Sequence, residues 1–218
     1  MYRIAVLASL LATAAVATAS AEDYRRLVFN VGGGVSNPLG PTSRWAGVSS
    51  NINTGVGYAF NDHSSVIGEF MWSGMPPNSP LERDVNGPLA RINLFTLTAN
   101  YRYKIDKLGS RRFGVYVIGG GGWYYRYTTI NGGYVVPPAT ACQPVFTWWG
   151  FTCTNAGFVD ATSMTYKFLS TGGLNGGAGF TIRFGESNWK FYTETRYHYA
   201  FHRIPTSMLL VTAGFRFN

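Results

Sequence analysis

The chain has 218 residues, 46% hydrophobic and only 13% charged, with a formal net charge of +8. Its mean hydropathy is close to zero because apolar and polar residues are interleaved rather than blocked. Its Lys and Arg are scattered singly or in pairs, with no basic stripe interleaved with stacking aromatics, which excludes a nucleic-acid-binding surface.

At the N-terminus, Arg3 precedes the apolar run Ile4 to Ala17 and then Ala19-Ser20-Ala21, a small-residue cleavage pattern. These features predict an export signal over residues 1–21 and a mature domain over 22–218. The run is shorter than the roughly 20 apolar residues a helical span needs, and no later stretch reaches that length, so a membrane location requires a barrel.

The first predicted strand, Leu27 to Val35, places Leu27, Phe29, Val31 and Val35 on one face and Val28, Asn30, Gly32 and Gly34 on the other. Asn37-Pro38-Leu39-Gly40-Pro41 breaks it. The second, Ser49 to Phe60, alternates Ile52, Thr54, Val56, Tyr58 and Phe60 with Asn51, Asn53, Gly55 and Gly57, and Asn61-Asp62-His63 turns the chain. The third, Ser64 to Met75, sends Val66, Phe70 and Trp72 outward and Glu69 inward. A loop with Pro76-Pro77 and Gly87-Pro88 leads to the fourth, Arg91 to Tyr103, with Phe95, Leu97, Ala99, Tyr101 and Tyr103 outward and Arg102 inward. The fifth runs from Arg112 to Tyr127, with Phe113, Val115, Val117, Trp123, Tyr125 and Tyr127 on one face and Tyr116, Ile118, Tyr124 and Arg126 on the other.

A long segment, residues 128–165, follows. The sixth strand, from about Tyr166 to Phe184, holds Leu174, Ala178, Phe180 and Ile182 outside and Asn175, Thr181 and Arg183 inside. The seventh, Lys190 to Phe201, turns Glu194, Arg196 and His198 inward. In the closing strand Val211, Ala213, Phe215 and Phe217 share the apolar face, and Thr212, Gly214 and Arg216 the other.

The expectation is an all-β fold, an antiparallel eight-stranded up-and-down transmembrane β-barrel. Its connections alternate short and long, which sets short turns and both termini toward the periplasm. Aromatics at Tyr101, Tyr103, Trp123 to Tyr127, Tyr199 and Phe201 form interfacial girdles. The export signal, the alternating strands and the final Gly214-Phe215-Arg216-Phe217 together resemble the small outer-membrane barrels of the OmpA and OmpW type. That resemblance implies the bacterial outer membrane, with its lipids, lipopolysaccharide and barrel-assembly machinery as partners. Such barrels end on an aromatic residue; Asn218 follows Phe217 here, and its deletion is expected to leave folding unchanged or better.

Three inward charges, Glu69, Glu194 and Arg196, sit near mid-strand. Buried charge is costly unless paired, so they are expected to form an ion-pair network filling a narrow lumen, the alternative being a gate that swaps partners to pass small ions. Arg102, Arg183 and Arg216 face inward near the periplasmic end, either as a cationic mouth or, the favoured reading, each reaching separately to water. Glycine tracts such as Gly119 to Gly122 suit strand curvature rather than a phosphate loop, since no helix follows them.

A lipid-deacylase reading needs a His-x-Ser pair on a late strand. After His198 and Tyr199 this chain has Ala200, and inward His198 would not meet lipid. His198 and His202 are four positions apart, roughly 13 Å along a strand and too far for one metal. No enzymatic activity, cofactor or metal is expected. Cys142 and Cys153 are expected to form a disulfide in the exported segment, contributing about 3 kcal/mol or less. Between them Phe146, Trp148, Trp149 and Phe151 form either a candidate aromatic binding surface or a cover that folds over the barrel mouth or into the membrane interface. The favoured function is a monomeric structural or surface-interaction barrel with an unassigned extracellular ligand; the alternative is a narrow channel for small or hydrophobic solutes.

Overall fold

The computed structural model describes residues 26–78, 90–105, 112–130, 144–147, 150–153, 165–184, 189–203 and 205–217. Its barrel strands are β1 (Leu27–Pro38), β2 (Ser49–Ala59), β3 (Ser64–Met75), β4 (Ala90–Ile105), β5 (Phe113–Ile130), β8 (Thr165–Arg183), β9 (Trp189–Ala200) and β10 (Thr206–Phe217). They close in the order β1-β10-β9-β8-β5-β4-β3-β2, every neighbouring pair antiparallel. The expected eight-stranded barrel is therefore the observed fold. Two further strands, β6 (Pro144–Thr147) and β7 (Gly150–Cys153), pair as a separate hairpin in the long connection between β5 and β8.

Alternation dictates which atoms face which medium. Along β2, Asn51 and Asn53 are buried in the lumen while Ile52 between them is 55% exposed on the outer wall. Val31, Leu97, Leu174, Val211 and Phe215 likewise stand exposed around the outside. In water this belt would be a large apolar patch; in a bilayer it is the solvated surface. Outer rings pack along it, Phe70 at 6.2 Å from Phe95, Phe95 at 6.3 Å from Tyr125, and Tyr125 at 6.3 Å from Phe168.

Strand β1 continues to Pro38, past the predicted break at Asn37, with Pro38 registered against Met208. A short 3-10 turn, Gly40–Arg44, then folds back onto β10. Thr42, fully buried, accepts a 2.8 Å hydrogen bond from the Ser207 amide, and the Leu39 amide donates to the Ser207 carbonyl at 2.9 Å. Below this cover lies the apolar core: Ala46, Met71, Met75, Ile92, Leu94, Tyr124, Ala200, Met208 and Leu210. The opposite, short-turn end opens into a basic cavity. By the asymmetry of loop lengths, that end faces the periplasm.

Candidate functional site

Mid-lumen, strands β3, β9 and β10 supply charges that alternation turns inward. Arg196 on β9 places Nη2 at 2.7 Å from Glu69 Oε2 on β3, and its Nε donates to Glu194 Oε1 two residues earlier on the same strand face. Arg216 on β10 approaches Glu194 Oε2 at 3.8 Å. All four side chains are almost completely buried. Two guanidinium groups face two carboxylates, so the formal charge cancels and the desolvation cost of each group meets a nearby counter-charge.

Neutral donors complete the network. Tyr116 on β5 donates its hydroxyl to Glu194 Oε2 at 2.8 Å, while Asn30 and Asn53 reach Glu69 at 3.5 Å each. Tyr192 donates to Asn53 Oδ1 at 3.2 Å. The connections thus run from β1, β2 and β3 across the lumen to β5, β9 and β10. On one side of the barrel a smaller polar cluster sits beside them: Ser49 and Ser73 hydroxyls lie 2.9 Å apart, and Asn51 donates to Ser36 Oγ at 3.1 Å.

Arg216 does not reach for water on its own. It is 1% exposed and its guanidinium lies between two rings, 4.9 Å from the Tyr116 centroid and 4.5 Å from that of Tyr192. Arg102 is half-buried with its guanidinium 5.8 Å from the Tyr116 centroid, and Arg183 is exposed. All three nevertheless line one cavity of about 750 Å³ at the periplasmic end. Lys104, Arg112 and Lys190 line it too, residues that alternation alone did not single out; Asp62 is the acidic residue in the described wall.

His198 points into the lumen, 2% exposed, with Nδ1 at 2.9 Å from the Tyr124 hydroxyl, and Ala200 is also inward. The imidazole is thus held inside the barrel wall, away from lipid. Cys142, Trp148 and Trp149 lie outside the described residues. For Phe146, Phe151 and Cys153 the backbone is described: β6 and β7 register Phe146 opposite Phe151 and Pro144 opposite Cys153.

The chain matches the model of the outer membrane protein beta-barrel domain family over residues 5–217. It belongs to that family. The barrel is also similar to solved structures. Neisserial surface protein A is 13% identical, with 88% of this chain and 96% of that one covered and a TM-score of 0.53. The N-terminal barrel domain of Pseudomonas aeruginosa OprF is 14% identical, covering 88% and 98%, with a TM-score of 0.46. Yersinia pestis Ail, crystallised with the heparin analogue sucrose octasulfate, is 15% identical, covering 88% and 98%, at 0.45. At these identities the likeness is one of fold. No curated protein sequence matches the chain significantly. Family membership fixes the location as the bacterial outer membrane.

Proposed function

We propose that this barrel is a monomeric structural and surface-interaction protein of the outer membrane, non-enzymatic, acting through its extracellular loops. The observation that carries this reading is the filling of the lumen at two levels. Mid-barrel, Glu69, Arg196, Glu194 and Arg216 occupy the cross-section as a neutral network; beyond it, toward the long loops, pack Met71, Met75, Ile92, Leu94 and Met208. A solute crossing would have to break buried charge pairs and displace close-packed apolar side chains, both costly. A filled interior leaves the loop face as the surface that meets a partner.

The longest connection, between β5 and β8, carries the β6–β7 hairpin and the aromatics Phe146, Trp148, Trp149 and Phe151. Clustered aromatics on an extracellular loop make a contact surface of the kind that takes a large apolar or amphipathic partner. Lipopolysaccharide and membrane lipids are the immediate neighbours of that rim, and the barrel-assembly machinery handles the chain before it inserts.

Planar-bilayer recording on the refolded chain tests the reading directly. No steady conductance is expected; a persistent ohmic current would overturn it in favour of a narrow solute channel. In parallel, the W148A/W149A variant should lose binding to whole cells or to immobilised lipopolysaccharide while keeping heat-modifiable gel migration. Unchanged binding by the folded variant would remove the loop aromatics from the contact surface.

A further inference from the structure

The periplasmic cavity is lined by basic residues from several strands. Arg183 on β8 is registered against Lys190 on β9, and Lys190 in turn against Arg216 on β10. Three inward basic residues therefore stand side by side on adjacent strands, where like charges directly opposite one another are destabilising. Arg112, whose carbonyl accepts from the Arg183 amide at 2.9 Å, and Arg102 and Lys104 on β4 add positive charge to the same cavity wall.

The floor supplies a second observation. Arg216 is held in place by the Tyr116 and Tyr192 rings, and its Nε and Nη1, although buried, have no hydrogen-bond partner among the protein atoms. An oriented, buried guanidinium with spare donors is a preorganised anion seat. The cavity, about 750 Å³, lies within the roughly 300–1,000 Å³ typical of small-ligand sites.

We propose that the periplasmic cavity binds a phosphoryl anion, seated on Arg216 and held by Arg183 and Lys190. Phosphoryl oxygens suit the site because their charge is multiple and their geometry matches the guanidinium fork. A membrane phospholipid headgroup and a soluble periplasmic phosphate ester present the same chemistry. Arg216 already faces Glu194 at 3.8 Å within the neutral network, so the charge of the bound anion would be answered by Arg183 and Lys190 at the rim, while Arg196 stays with Glu69 and Glu194.

The test is calorimetric titration of inorganic pyrophosphate into the chain refolded in phosphatidylcholine nanodiscs. Wild type should bind, more weakly as salt is raised, and R183Q/K190Q should bind about tenfold or more weakly, as expected for lost charge-assisted hydrogen bonds. Heat-modifiable migration checks that this variant folds, and R183Q alone, at an exposed position, serves as the milder second variant. Phosphatidylglycerol added to the nanodisc should compete with pyrophosphate if the natural source is a lipid headgroup; pyrophosphate binding unaffected by that lipid assigns a soluble phosphate ester. No pyrophosphate binding, equal binding by wild type and the folded double variant, or binding of polyglutamate in place of pyrophosphate would overturn the proposal.

Discussion

Replacing Arg196 with methionine removes the guanidinium that joins Glu69 to Glu194 while keeping much of the side-chain volume. The two carboxylates fare differently. Glu194 keeps the Tyr116 hydroxyl at 2.8 Å and Arg216 at 3.8 Å, whereas Glu69 keeps only the 3.5 Å contacts from Asn30 and Asn53. Glu69 is 4% exposed, so its charge would be left buried beside weak neutral donors. Breaking a buried pair by removing one partner costs about 3–5 kcal/mol, and this position belongs in that range. The double variant R196M/E69Q removes the stranded charge as well and should recover about 2 kcal/mol or more of the loss, a coupling read from a double-mutant cycle. Denaturant unfolding of the barrel refolded in lipid vesicles, followed by tryptophan emission, provides the measurement. A single-variant loss below about 1 kcal/mol, or a double variant no more stable than R196M, would refute the assignment of Arg196 as the counter-charge of Glu69.

Two further outcomes follow from other contacts. Y116F removes the hydroxyl that donates to Glu194 but keeps the ring beside Arg216, so a loss of about 1.5–3 kcal/mol is expected in the same unfolding assay. At the β1–β10 seam, a Cβ on Gly34 would overlap the Val211 carbonyl oxygen, whereas one on Gly68 would meet the Val56 carbonyl oxygen at an ordinary 3.6 Å. Hence G34A should cost about 1–3 kcal/mol or more, visible as reduced heat-modifiable folding, and G68A should fold as wild type.

Strand parity was legible from residue order because the membrane makes one face apolar. Ile52 against Asn51 and Asn53, or Val66 against Glu69, can be sorted by period alone, and the lumen placement of Glu69, Glu194 and Arg196 follows from it. Depth was harder to read. Parity places Arg216 inward but says nothing of the strand tilt that sets it below Glu194 and between Tyr116 and Tyr192, so separate exposure to water was expected of it. The row Arg183-Lys190-Arg216 was hidden for the same reason: it depends on the register of three strands, and no one segment contains it. The β6–β7 hairpin escaped notice because its four-residue strands are too short to show a period. Pro38 looked like a stop, yet it occupies a strand end.

The closure of the barrel between β1 and β10 has a consequence for how the chain reaches its native state. Six of the pairings that build the wall, β1–β2, β2–β3, β3–β4, β4–β5, β8–β9 and β9–β10, join strands adjacent in sequence, and β5–β8 spans one long connection. The seam instead joins Phe29 to Phe217, nearly the full span of the chain. Loop-closure entropy and contact order make such a pairing the slow one, reached after the hairpins have formed. Until then the open sheet has two unpaired edges, β1 and β10, each bearing glycines that bring its neighbour's backbone close. Those edges are where misassembly between copies would begin, and a companion that shields them during insertion would act on folding rate while leaving the finished barrel unchanged.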